Sequence, residues 1–134
     1  MAGKRAGRRR VSLRRMAYDI HMDVKFAPLT KFDVAAEAAL HQPWFNQTLS
    51  QVDDALVRLG VLEGDFHWHK HDREDEFFLV LSGKLTIDIE GREPVTLEPN
   101  QAVTVPKNTM HCPHAHGRTV VLMIERAGLQ PTGD

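Results

Sequence analysis

The chain contains a single cysteine, Cys112, so an intrachain disulfide is excluded and nothing points to an oxidising compartment. It has no apolar stretch near the roughly 20 residues that cross a bilayer. Phe77–Leu81, among the longest such runs, has only five residues. The apolar core of a signal peptide is missing as well, because the basic start Lys4–Arg10 leads into further basic residues. No phosphate-cradling glycine loop, Ser–His–Asp or Cys–His arrangement, or helix-turn-helix region can be read. These absences leave a cytoplasmic protein with no membrane partner as the expectation.

At 134 residues the chain suits one domain with one buried core. Its net charge of −1 hides an asymmetry: residues 1–15 carry seven Lys or Arg and no acid. The remainder holds ten basic against eighteen acidic residues. A basic arm suits nucleic acid or an anionic membrane, but an acidic body repels nucleic acid, and no nucleic-acid partner is expected. Residues 1–21 read as a disordered basic tail, or as a misassigned start with Met16 or Met22 as the true beginning; residues 22–134 read as one barrel domain.

Residues 22–32 supply an expected edge strand through Val24, Phe26, Leu29 and Phe32. Asp33 then caps a short helix over Val34–Leu40, stopped by Pro43, with Trp44 and Phe45 as a hydrophobic plug. From Gln51 the hydrophobic period changes to two. Strands are expected at Val52–Leu62 (interrupted near Gly60 and Gly64), Phe66–His71, Glu76–Leu81, Leu85–Ile89, Val95–Leu97, Ala102–Val105, Met110–Pro113 and Val120–Glu125. Short strands at close spacing, punctuated by Gly, Pro and Asn, predict an all-β sandwich or barrel.

Six of the eight histidines fall in two windows, 67–71 and 111–116. On a strand alternate side chains share a face, which puts His67, His69 and His71 on one side. Glu76, after the turn Asp72–Asp75, adds a carboxylate, and His111 closes the group from another strand. Three imidazoles and one carboxylate suit one divalent first-row ion (Mn, Fe, Co, Ni, Zn or Cu) and argue against Ca or Mg. On a six-coordinate ion they leave two positions for water, a bidentate substrate or dioxygen.

The spacing His69-x-His71, four residues, Glu76, six residues, Gly83, followed by Asn100, Pro106-x-Asn108 and His111, resembles the two motifs of the cupin superfamily. The wording of residues 68–89 is similar to small single-domain cupins described as mannose-6-phosphate isomerase-like, and the resemblance covers roughly residues 44–134. It implies a double-stranded β-helix (a cupin or jelly-roll barrel), here with a short N-terminal helical segment, the metal inside, and usually a homodimer. Three positions depart from the pattern. Asn100 and Asn108 replace glycines, which the turns tolerate because Asn accepts positive φ. Gly64 stands one residue nearer the first histidine than usual, and Ala115 replaces a motif asparagine.

Among the remaining residues, His67 reads as a cavity-wall group and possible proton shuttle. His114 and His116 read as solvated, and Cys112 as a packing thiol facing away from His111. Both faces of Glu76–Leu81 are apolar, so Phe77, Leu79 and Leu81 need cover from a second subunit or from the N-terminal segment. The expected function is metal-dependent chemistry on a small polar metabolite. The alternatives are a non-catalytic small-ligand-binding module and a sugar isomerase of the mannose-6-phosphate type. Against the last, Lys70 and Lys84 fall on outward positions by parity.

Overall fold

The computed structural model describes residues 18–134; of the expected basic tail, residues 1–21, the part up to residue 17 lies outside them. The elements are β1 (Asp19–His21), α1 (Val34–Ala39), β2 (Phe45–Val52), β3 (Ala55–Asp65), β4 (Glu76–Ser82), β5 (Leu85–Ile89), β6 (Arg92–Leu97), β7 (Ala102–Val105) and β8 (His111–Arg126). The architecture is the expected all-β jelly-roll barrel. One path of paired strands runs β1-β2-β3-β8-β4-β7, and β5 joins it through β8 and carries β6.

The long strand β8 ties the barrel together. It pairs with β3 in both halves, with β4 through its second half and with β5 over His111–Ala115 in its first. The register with β3 breaks between Leu62 and Gly64, opposite the bend at Gly117, whose φ is +72°. The sequence suggests two strands here, Met110–Pro113 and Val120–Glu125. A glycine in the left-handed region lets one strand turn the corner without ending.

Three further expectations are corrected. Residues 22–32 form no strand; the first strand is Asp19–His21, parallel to β2. That places residues 18–21 against the barrel rather than in a tail. Trp44–Phe45 is not merely a plug, since Phe45 opens β2. Residues 66–71 are not a ladder strand: only His69 bridges, to His111. The N-cap is as expected, with Asp33 accepting from the Ala36 amide at 2.8 Å.

Two apolar layers follow from strand alternation. The inner one includes Leu62, Phe78, Val80, Leu85, Ile87, Val121 and Met123. On the outer face of β2, β3 and β8, Phe45, Leu49, Leu59, Val61 and Val120 are covered by α1 and by the stacked rings of Phe26 and Phe32. The motif glycine Gly83 holds a turn at φ +86°, where an added Cβ would lie 2.5 Å from Thr119 Oγ1 and 2.7 Å from the Arg118 carbonyl. Asn100 and Asn108 adopt φ of +68° and +58°, as anticipated for asparagine in place of glycine.

Candidate metal centre

Glu76 opens β4 and His111 opens β8, so both project from the first residue of a strand. His69 and His71 come from the segment before β4. It is pinned to β8 by paired bonds between the His69 and His111 backbones at 3.0 and 2.9 Å. The Asn108 amide donates to the His71 carbonyl at 2.7 Å, tying the second motif to the first.

The four side chains converge. Each offers one ligand atom, and these atoms lie within 4.8 Å of one another. All are buried: His69 is 6% exposed, His71 2%, Glu76 6% and His111 1%. His69 donates its Nδ1–H to the His67 carbonyl at 2.9 Å, and His111 donates its own to the Thr109 carbonyl at 2.8 Å. Both rings therefore present Nε2 inward. His71 Nε2 and Glu76 Oε2 stand 2.8 Å apart, yet among the described residues neither has a hydrogen bond of acceptable geometry, and His111 Nε2 has no partner. Buried polar atoms without partners are costly. A donor set of three imidazoles and a carboxylate, aimed at one point, fits a first-row divalent ion. Burial pushes the His69 imidazole down to about 4 and lowers that of His111, which keeps both rings in the neutral, ligating form near pH 7.

A narrow cavity adjoins this group. Tyr18, Trp44 and Phe66 form its aromatic wall, with ring centroids 5.3–5.8 Å apart, and Asn46, Glu125, His69 and Glu76 bring polar atoms to it. Behind it lies Arg58, 0% exposed. Arg58 donates to Thr48 and Asn46 through its terminal nitrogens, and its Nε stands 3.0 Å from Glu125 Oε1. Burial, then the charge of Glu76, pushes the Glu125 carboxyl up, while Arg58 pulls it back. The Tyr18 hydroxyl accepts from the Asn46 amide at 3.1 Å, and burial raises the phenol to about 12.

Sequence reasoning missed Tyr18, Asn46, Arg58 and Glu125. For two of them a signal existed. Arg58 and Glu125 interrupt apolar alternation at inward positions, next to Leu56 and Met123 in their strands. Tyr18 fell in the presumed tail, and Asn46 lay in an unassigned strand.

His67 is exposed, and its Nε2 lies 2.7 Å from the Thr132 carbonyl, apart from the four converging heads. His114 is not simply solvated: its two nitrogens lie 2.8 Å from Asp65 and 2.7 Å from Asp88. His116 Nε2 lies 2.8 Å from the Thr86 hydroxyl. Cys112 is buried with its thiol toward the Phe66 carbonyl. Among the described residues no helix is long and apolar enough to cross a membrane.

The family model described as a cupin domain matches residues 55–125. An uncharacterized protein of Bacillus subtilis (strain 168), YdbB, is 41% identical over 80 residues, covering 60% of this chain and 71% of that protein. The crystal structure of a cupin-2 domain containing protein from Shewanella frigidimarina superposes with a TM-score of 0.67 at 28% identity, covering 71% of this chain and 93% of that one. A cupin superfamily protein from Desulfitobacterium hafniense superposes with a TM-score of 0.57 at 21% identity, over 66% of this chain and 85% of the other.

Proposed function

The chain belongs to the cupin domain family, and we propose that it is a metal-dependent enzyme whose ion sits on His69, His71, Glu76 and His111 and acts on a small polar metabolite. The observation that carries this reading is the set of unpartnered buried atoms, His71 Nε2, Glu76 Oε2 and His111 Nε2, gathered beside a cavity. When bound, the ion supplies Lewis acidity to an oxygen of a ligand at the positions the four side chains leave open.

The chain's own residues set what can approach. Trp44 and Phe66 offer flat apolar surface, and the Tyr18 hydroxyl and the Asn46 amide orient polar groups. Arg58 spends its terminal nitrogens on Thr48 and Asn46 and is 0% exposed behind the cavity, so it is not placed to meet a phosphate. Lys70 turns instead to Asp72 and Asn108. These features favour an uncharged or cationic metabolite over a sugar phosphate. His67 stays in reserve as a proton carrier at the rim, where its ring meets the Thr132 carbonyl.

Protein purified without chelators or a nickel column should be screened for oxygen uptake and for conversion of small polar metabolites, with the metal-stripped form as control. Metal-dependent turnover supports the enzyme. Tight retention of a ligand with no turnover replaces it with the binding module.

A further inference from the structure

His71 has a second unpartnered atom. Its Nδ1 is buried without a hydrogen bond, on a side chain only 2% exposed. His69 and His111 both anchor their Nδ1 on a backbone carbonyl; His71 does not. One of its ring nitrogens lies within 4.8 Å of carboxylate oxygens of Glu74 and Asp134, which also lie within 4.8 Å of each other. Nε2 stands 2.8 Å from Glu76, and Nδ1 is the other ring atom, buried and without a partner.

Asp134 reaches this position because residues 129–134 lie along the histidine segment. Leu129 is buried, and Pro131 lines the cavity wall. The Thr132 carbonyl lies 2.7 Å from His67 Nε2. Gly133 packs on His69 so closely that an added Cβ would stand 2.6 Å from the His69 Cβ, at a φ of +97° that disfavours any side chain. The Asp134 amide donates to the Lys70 carbonyl at 2.9 Å, and its Oδ2 accepts from the Asp72 amide at 2.6 Å. Asp134 is thus held at both backbone and side chain over residues 70–72, with its second oxygen uncommitted.

We infer that Asp134 is a positioning residue: it accepts the Nδ1–H of His71 and aims that ring's Nε2 at the ion, with residues 129–134 serving as the strap that holds it there. The inference rests on the metal reading above. A metal-bound imidazole commonly gives its other N–H to a carboxylate, which fixes the tautomer and strengthens the ligand. Glu74 is the lesser candidate, because its side chain lacks the two anchors that hold Asp134.

The test is Co(II) affinity of the full chain, measured by competition with a chelating indicator, together with the visible absorption of the cobalt form. Asp134→Asn keeps an oxygen for the Asp72 amide but turns an NH2 group toward His71. It should weaken Co(II) binding by about 10–100-fold and shift the cobalt bands, while the metal-free melting temperature stays unchanged. Asp134→Glu should restore part of the affinity, and Glu74→Gln should leave it unaltered. Gly133→Ala, which lifts the strap, should weaken binding as Asp134→Asn does. Wild-type protein that binds no cobalt overturns the metal reading and this inference with it. Wild-type protein that binds while Asp134→Asn binds equally well, or loses affinity only as far as it loses stability, overturns the inference alone.

Discussion

His69 and His111 are held by the same device on opposite sides of one bridge. Each ring gives its Nδ1–H to the carbonyl two residues before it, and the two backbones bond to each other between the rings. The ring centroids stand 4.3 Å apart. Two buried imidazoles so placed resist protonation, since burial and the neighbouring ring both oppose a charge on His69.

That resistance predicts an acid-sensitive apoprotein. Above pH 6.5 His69 is neutral in both the folded and the unfolded chain and contributes no pH dependence. Below it the unfolded chain takes up a proton that the folded one refuses until about pH 4. Stability should therefore fall as pH falls through this window, by up to about 3 kcal/mol from His69. Urea unfolding of metal-stripped protein at about pH 7.5 and about pH 4.5 measures it, and His69→Leu should flatten the slope. Equal slopes in the two proteins would contradict the assignment.

The buried pair Arg58–Glu125 should behave asymmetrically. Arg58→Met leaves Glu125 beside Glu76, on the paired positions of β8 and β4, without the cation that pulls it down. The carboxyl, already pushed up to about 8, takes up a proton, and the unpartnered buried group should cost about 1–3 kcal/mol. Adding Glu125→Leu removes the unpartnered carboxyl and should recover most of that loss. Denaturant midpoints of the single and double variants decide. A double variant no more stable than the single would show that the pair holds the barrel by packing instead.

Much of this was legible in the sequence, for a physical reason. The strand Leu85–Ile89 alternates cleanly, Glu76–Ser82 shows as a continuous apolar run between turns, and the histidine and glutamate spacings survive because they are set by turns that only a few residue types can form. Asn100 and Asn108 illustrate this: their positive φ follows from residue type. The strand β2 escaped notice because Asn46 and Thr48 face inward and Arg58 uses them there, so its alternation is polar. Residues 66–71 read as a strand because their pattern fits one, but beyond the Phe66 amide on the Pro113 carbonyl and the His69–His111 bridge no ladder with β8 forms there. The role of residues 129–134 was illegible, since it depends on backbone atoms and a glycine rather than on any pattern.

The outer face of β4 predicts assembly. Phe77, Leu79 and Leu81 lie opposite Glu76, Phe78 and Val80, as alternation requires. Cover from the α1 layer reaches Leu81 and Leu122. Phe77 and Leu79 stay half-buried, and Ile124, paired with Phe77, is 40% exposed. We expect a twofold dimer on this patch, each fully buried side chain contributing at most about 1.5–3 kcal/mol before the cost of association. Sedimentation at micromolar concentration should show a dimer that Leu79→Asp splits without loss of bound metal. A monomeric wild type would overturn the dimer and leave Phe77 and Leu79 half-buried in the single chain.

Whether this chain is a metal protein at all is decided by its metal content. Full-length protein, purified without chelators or a nickel column, should contain one equivalent of a first-row ion by elemental analysis. The double variant His69→Ala, His71→Ala should contain none, with far-ultraviolet circular dichroism unchanged, because both side chains line the site and neither bridges the sheets of the barrel. A folded double variant that keeps its full equivalent of metal would contradict the account at its centre, and so would a wild type that takes up no ion from Mn, Fe, Co, Ni, Zn or Cu.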